Sequence, residues 1–404
     1  MPSTTPPRRP LFEGLPAAPR PNRRQALGQA GAFLTCSWLA AGPVKADEVA
    51  RRPRVRELHS FKFKGQPRHG GARPQAGLVR ARDGLLYGTA YAGGPGEVGT
   101  VYRVLQADKV QTVHAFAWGD GGPSFPTTPL VQASDGALYG ASSSGGEVGW
   151  GTLYRVTTTG QVQVLHSLGP GTGHQASAGL TPAADGHLYG VLPSGGTWGH
   201  GTVFRLTLDG EFEVLHAFHG PTEGAFPGHP LVVGPDGHLY GTASTTEFTT
   251  VFRLTLAGQF SLVRTLSVSE GRGGGQLVSA DGFLYGTAIY GGLEDNGSFY
   301  RLRPDGSGFE VLRQFPSPYA ATGRRPSGPL MRASDGHFYC VSSPYGDAPV
   351  LMQLTARGRS RALAAYPERC GPAGTLLEWD GRALLGVTEY GGTWGHGNLY
   401  AVSA

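Results

Sequence analysis

The chain has 404 residues, of which 66 are glycine and only 16% are charged. Glycine at about twice its ordinary ~7% share allows either an extended β domain or a flexible polymer, and its regular placement beside Tyr, Phe, Leu and Val excludes the polymer. The formal charge of +5 arises at the front: residues 1–46 hold six Lys/Arg and one acid, leaving 28 of each sign behind them, which removes the electrostatic case for a nucleic-acid partner.

The first element in chain order is NRRQALGQAGAFLTCSWLAAGPVKA, which resembles a twin-arginine export signal. Arg23-Arg24 form the pair, Leu27 holds the apolar position after it, Ala26 to Ala41 is mildly apolar, and Val44-Lys45-Ala46 ends in small residues suited to cleavage. Ala26 and Gly28 depart from the usual Phe and Lys of the pattern. The apolar stretch is too short and too rich in glycine for a membrane span, and lipidation at Cys36 is disfavoured because Phe33-Leu34-Thr35 is not a small-residue approach. The expected division is a signal peptide over 1–46, a short linker over 47–54 and one repeat domain over 55–404.

From residue 55 three short patterns recur. Asp-Gly-x-x-Tyr-Gly occurs at Asp83, Asp135, Asp185, Asp236 and Asp281, as DGHFYC at Asp335 and in degenerate form at Asp380, seven copies 45 to 54 residues apart. A GTVYR-like run follows at Gly99, Gly151, Gly201, Thr249 and Gly297, and weakly at Pro349 and Gly397. An LHSF-like run stands at Leu58, Val113, Leu165, Leu215, Val263, Leu312 and Leu363. These apolar runs are too short for helices, and Asp-Gly suits the positive φ of tight turns, so each unit reads as a four-stranded meander. The fold class is therefore all-β, a seven-bladed β-propeller of four-stranded blades. Because one LHSF copy precedes every Asp-Gly element and none follows the last GNLYAVSA, the segment Val55 to Phe61 is expected to close the ring as outer strand of the blade near Leu376 to Val402.

The pattern DG-x-LYGT…GG-x-x-G-x-GTV[YF]RL…VLHSF over residues 55 to 404 resembles the GloVer tandem repeat of exported bacterial proteins. That resemblance implies a propeller-like repeat fold and carries no single assigned activity.

Two connections in each unit are short turns, and the other two are long and share one face. Function is expected there. Tyr189 and Arg205 should be cross-strand neighbours, as should Tyr87/Arg103, Tyr139/Arg155 and Tyr285/Arg301. Such recurring residues read as scaffold. His59, His114, His166 and His216 share the LHxF slot and read as outer-strand packing. Residues that break the repeat are the candidates for ligand binding: Trp198 and His200 in one TWGH loop, Trp394 and His396 in the other, Trp150 in the slot of His200, the linker residues His174, His229, Trp118, Arg324 and Arg325, and Tyr390. Glu97 belongs to the matching loop of the first blade. Trp beside His and Arg suits sugars, through stacking on C–H faces and hydrogen bonds to hydroxyls and carboxylates.

G-x-S-x-G, H-E-x-x-H, P-loop and C-x-x-C patterns are missing. Metal binding through His200 and His396 has no supporting spacing, and catalytic residues are unassigned. Cys340 and Cys370 could pair in an oxidising compartment or stand as buried thiols. The reading is an exported, periplasmic or secreted monomer without cofactor, binding a carbohydrate or peptide at the long-loop face. The alternatives are a lyase acting on uronic-acid glycans, with His, Tyr and Arg as its parts, and a scaffold for protein assembly.

Overall fold

The computed structural model describes residues 55–63, 70–119, 121–315, 325–342, 348–367, 370–379, 381 and 383–403. Among them the strands form seven separate antiparallel sheets, one per repeat, each a meander in chain order. Blade 3 shows the unit: an inner strand Thr181–Pro182, then Leu188–Leu192, Thr202–Leu206 and an outer strand Phe212–Ala217. In blades 2 and 5 the inner strand is split into two short pieces, Ser124–Pro126 with Val131–Gln132 and Arg272–Gly274 with Val278–Ala280. The single helix among the described residues is one turn, Gly220–Glu223.

Blade 7 closes the ring as the repeat count requires. Arg56–Ser60 pairs antiparallel with Asn398–Ser403 and completes the sheet made by Pro372–Trp379 and Ala383–Thr388. The register Arg56↔Ala401 and Ser60↔Asn398 joins the two ends of the domain, so the last strand is paired on both sides.

The core lies between blades, where each sheet face packs on the next. Tyr139 with Leu180 and Phe204, and Tyr189 with Leu231 and Phe252, belong to shared clusters spanning adjacent repeats. This packing explains the glycine of the LYG motif. A Cβ at Gly190 or Gly286 would overlap the Phe204 or Tyr300 ring of the third strand. In blade 6 that ring is replaced by Met352, whose register partner is Cys340, so the glycine is not needed there.

The LHSF motif is a bulge. In blade 3 Val214 faces Phe204 and His216 faces Val203, leaving Leu215 as the extra residue, and the same shift recurs at Leu165 and Leu312. Its carbonyl turns toward the following blade, where the hairpin glycines Gly210 and Gly358 pack against Leu165 and Leu312. A side chain at those glycines would strike backbone, so bulge and hairpin act as one interlock.

The Tyr/Arg pairs fall in register as expected, with Tyr189 opposite Arg205 and Tyr87 opposite Arg103. They include a third member, the turn aspartate. Tyr189 donates its hydroxyl to Asp185 Oδ2 (2.6 Å) while Asp185 Oδ1 accepts the His187 N–H (3.1 Å). Asp135 binds Tyr139 (2.9 Å) and also Arg155 (3.0 Å). Burial pushes the Asp135 carboxyl up, but the hydrogen bonds from the Ala137 N–H, Tyr139 and Arg155 outweigh it and hold the group below the usual carboxylate range.

Candidate functional site

The described long connections of the blades lie on one face. In blades 1, 2, 3, 5 and 7 the loop between the second and third strands closes on itself through a backbone bond, as from Gly201 N to Gly195 O (3.0 Å) and from Gly397 N to Gly391 O (3.0 Å). The residue in the His200 slot then offers its carbonyl to the next blade's linker. Val98 O accepts from Phe125 N (2.7 Å), His200 O from Phe226 N (3.0 Å), Asn296 O from Arg325 N (2.8 Å) and His396 O from Arg73 N (2.8 Å). The four donors are non-glycine residues at positive φ, between 50° and 56°. Left-handed backbone at such residues costs about 1 kcal/mol or more each, so these side chains are held on the rim against a conformational preference.

That slot separates the scaffold role of His200 and His396, which belongs to their carbonyls, from their rings. The His200 ring packs on Gly220 and 6.3 Å from Phe226, whereas the His396 ring stands 5.5 Å from Phe63. They lie in loops of blades 3 and 7, and among the described residues no hydrogen bond or ring contact joins them. Trp198 meets His219 edge-on at 5.1 Å, Trp150 meets His174 at 4.4 Å, and the Lys62 ammonium lies 4.0 Å over the Trp394 ring. Each tryptophan thus touches a cationic or imidazole partner and still leaves much of its ring in solvent, 57% for Trp198 and 53% for Trp394.

Tyr390 belongs to the most connected group. Arg73 donates Nη2 to the Tyr390 hydroxyl (2.8 Å) and pairs with Glu389, which also accepts from Gln75 Nε2 (2.8 Å). The guanidinium lies 5.1 Å from the ring centres of both Tyr91 and Tyr390, Tyr91 lies 5.0 Å from Phe125, and Phe125 lies 5.5 Å from Trp118. Hydrogen bonding to Glu389, and then burial, raise the Tyr390 phenol above its ordinary value, which suits a donor and not a base. A second group on the rim has Arg272 and Arg325 each 5.3 Å from Tyr290, with Arg272 paired to Asp295 (3.1 Å).

His229 stands in the linker ahead of the inner strand Val232–Val233 of blade 4, two residues before Leu231, and faces the Gly274 backbone of blade 5. Burial brings its imidazole down to about 4. Arg324 lies outside the described residues, as do residues 1–54 with the export-signal pattern. Among the described residues there is no cluster of three metal-ligating side chains. Cys340 and Cys370 are both free and buried, so the disulfide alternative is corrected to two thiols in different core clusters.

Sequence reasoning missed Arg73, Phe125 and Phe226. The signal available was their position: each stands five residues before a repeated leucine (Leu78, Leu130, Leu231) and directly before proline. Arg325 before Leu330 shares it.

Residues 124–276 match the model of the Gloeobacter/Verrucomicrobia repeat. A search among curated proteins by sequence returns no match. An oligogalacturonate lyase in complex with manganese superposes with a TM-score of 0.55 at 14% identity, over 87% of this chain and 98% of that one. A puromycin hydrolase gives 0.51 at 16% identity, over 81% of this chain and 52% of that one. An extracellular domain assigned to a hybrid two-component system of B. thetaiotaomicron gives 0.53 at 10% identity over 82% of this chain. This chain spans 40% of that last protein. At these identities the likeness is one of fold alone.

Proposed function

We propose that this propeller, built on the Gloeobacter/Verrucomicrobia repeat, is an exported binding protein that takes a carbohydrate chain across its long-loop face. One observation carries the reading. Among the described residues every exposed aromatic ring, namely Trp118, Trp150, Trp198, Phe226, Tyr390 and Trp394, belongs to the loops and linkers of that face. The opposite face, made of Asp-Gly turns, has none. Exposed rings gathered on one side are unfavourable in water unless a partner covers them, and flat rings beside Lys62, His174, His219 and Arg73 match the C–H faces and the oxygens of sugar rings. A peptide is the other ligand compatible with this surface.

Export is supported by the Arg23-Arg24 pattern and cleavage is placed after Ala46. No helix among the described residues is long and apolar enough to cross a membrane.

A uronate lyase would need a base and a carboxylate clamp converging on one point. His200 and His396 sit in separate loops, Arg73 is already held by Glu389, and the Tyr390 phenol is raised, so binding is the better-supported reading. The deciding experiment is titration of the exported protein with neutral and uronate-bearing polysaccharides, read by tryptophan fluorescence. Trp198→Ala and Trp394→Ala should each weaken binding about tenfold or more, the worth of a stacked aromatic, with unchanged melting. Absence of binding to every glycan and peptide tested, or full affinity in the double variant, removes the proposal. Accumulation of unsaturated uronate products would replace it with the lyase.

A further inference from the structure

The outer strands pack by one motif in three of the seven seams and depart from it in the other four, where Val162, Ser360, Val110 and Val55 hold the slot. In three seams a histidine or arginine of one blade lies on a phenylalanine of the next: His166 on Phe212 (3.9 Å), His216 on Phe260 (3.6 Å) and Arg264 on Phe309 (3.8 Å). The Phe is a plug. Its slot faces the apolar residue near the end of the third strand, as Phe212 faces Leu206 and Phe260 faces Leu254.

At the seam of blades 1 and 2 the plug is Val162, opposite Val156, and a cavity of about 370 Å³ opens beside it, lined by His114, Phe116 and Trp118. At the seam of blades 6 and 7 both members shrink. Ala364 takes the His slot, opposite Leu351, and Val55 the plug slot, and the cavity measures about 350 Å³. Val110 also holds the slot where blade 7 meets blade 1, but there Gly70 packs onto its Cγ1 and leaves no comparable space.

The lining of the blade 6–7 cavity departs from the repeat in chemistry as well as size. Glu57 faces Tyr400 in the register held elsewhere by Val164, Val214 and Leu262. Asn398 takes the place of a threonine such as Thr202 and bridges Thr388 and Glu57, receiving from Thr388 Oγ1 (2.9 Å) and donating to Glu57 Oε2 (3.2 Å). Thr393 donates to the other Glu57 oxygen (2.7 Å). Both donors to this carboxylate are neutral, and no described Lys or Arg makes an ion pair with it. Tyr366, whose hydroxyl shares a hydrogen bond with Tyr400 (2.7 Å), and Cys370 complete the wall.

We propose that this seam is a binding site for an ammonium compound of monosaccharide size, with Glu57 as its counter-ion and the space vacated by the missing phenyl as its pocket. A volume of about 350 Å³ is at the small end for ligand sites. A carboxylate fixed by two neutral donors has lone pairs left to accept from a cationic donor. The site borders the blade 7 loop through Gly391, Gly392 and Thr393 but involves none of the exposed rings, so the two readings are tested with different ligands and variants.

The test is calorimetric titration of the full chain with glucosamine in mildly acidic buffer, where its amine is protonated, against N-acetylglucosamine and glucuronate as neutral and acidic counterparts. Saturable heat with glucosamine alone is expected. Glu57→Gln should lose about tenfold or more in affinity, the worth of a charged hydrogen bond, and Val55→Phe, which installs the sister plug, should abolish binding while keeping the thermal melt. If Val55→Phe does not fold, Glu57→Val, which restores the residue of the other blades, serves in its place. No heat with glucosamine, equal heat with the neutral sugar, or full affinity after the pocket is filled overturns the proposal. Failure here leaves polysaccharide binding by the tryptophan face standing, because that is read with other ligands and other variants.

Discussion

His229 makes stability depend on pH in a way that can be worked from its setting. Its imidazole is brought to about 4 by burial against blade 5, whereas an unfolded histidine titrates near ~6.5. Below that unfolded value the unfolded chain takes up a proton that the folded chain refuses. Stability is therefore fully present above ~6.5 and is lost as pH falls toward about 4. For a single group with these two values the loss between pH ~7.5 and ~5 is about 2 kcal/mol. His114, His166 and His216 are also lowered by burial, so the wild type carries their losses too and the informative quantity is a difference. Urea unfolding at both pH values, on the wild type and on His229→Gln, should show the variant losing about 1 to 2 kcal/mol less. Equal losses in the two proteins would refute the claim that His229 is held neutral against the Gly274 backbone.

Two tyrosine classes should respond oppositely to loss of the hydroxyl. Tyr189→Phe breaks the bond to Asp185 and should cost about 1.5 to 3 kcal/mol, read as a lower urea midpoint. Tyr154→Phe should be neutral or stabilising, because its buried hydroxyl finds no hydrogen-bond partner and the same third-strand position is Phe in blades 3 and 4. A large loss on Tyr154→Phe would show that a partner exists. Cys340 should be silent toward a thiol reagent in the native protein and react after denaturation, since burial pushes its thiol up to about 12. Labelling of Cys340 at the rate of a free thiol in the native protein would contradict the packing described.

Much of the architecture was legible because each repeat presents the same constraint seven times. A single Asp-Gly or a single LHxF is a weak signal, but seven offsets of one displaced copy leave no closed arrangement other than strand exchange, and Arg56–Ser60 pairs as that count required. The Tyr/Arg register was equally accessible, since a two-residue strand period and a fixed loop length determine which side chains face one another. The aspartate that joins them was not, because an Asp-Gly dipeptide is fully accounted for by turn geometry and gives no hint of a second hydrogen bond to Tyr189.

The candidate site divides along the same line. By itself the sequence determined the blade count, the closure, the face that carries the long loops and the residues Trp198, His200, Trp394 and His396 that break the pattern. Only the tertiary structure decided that the carbonyls of those histidines serve the scaffold, that His229 packs against the Gly274 backbone, that Arg73 is clasped by Tyr91, Tyr390 and Glu389, and that a pocket opens where Val55 stands in the slot of a phenylalanine. The reason is physical. Repeat periodicity records what each blade does within itself, whereas these features arise mostly between blades, from groups such as Arg73 and Glu389 that nothing in the local pattern brings together.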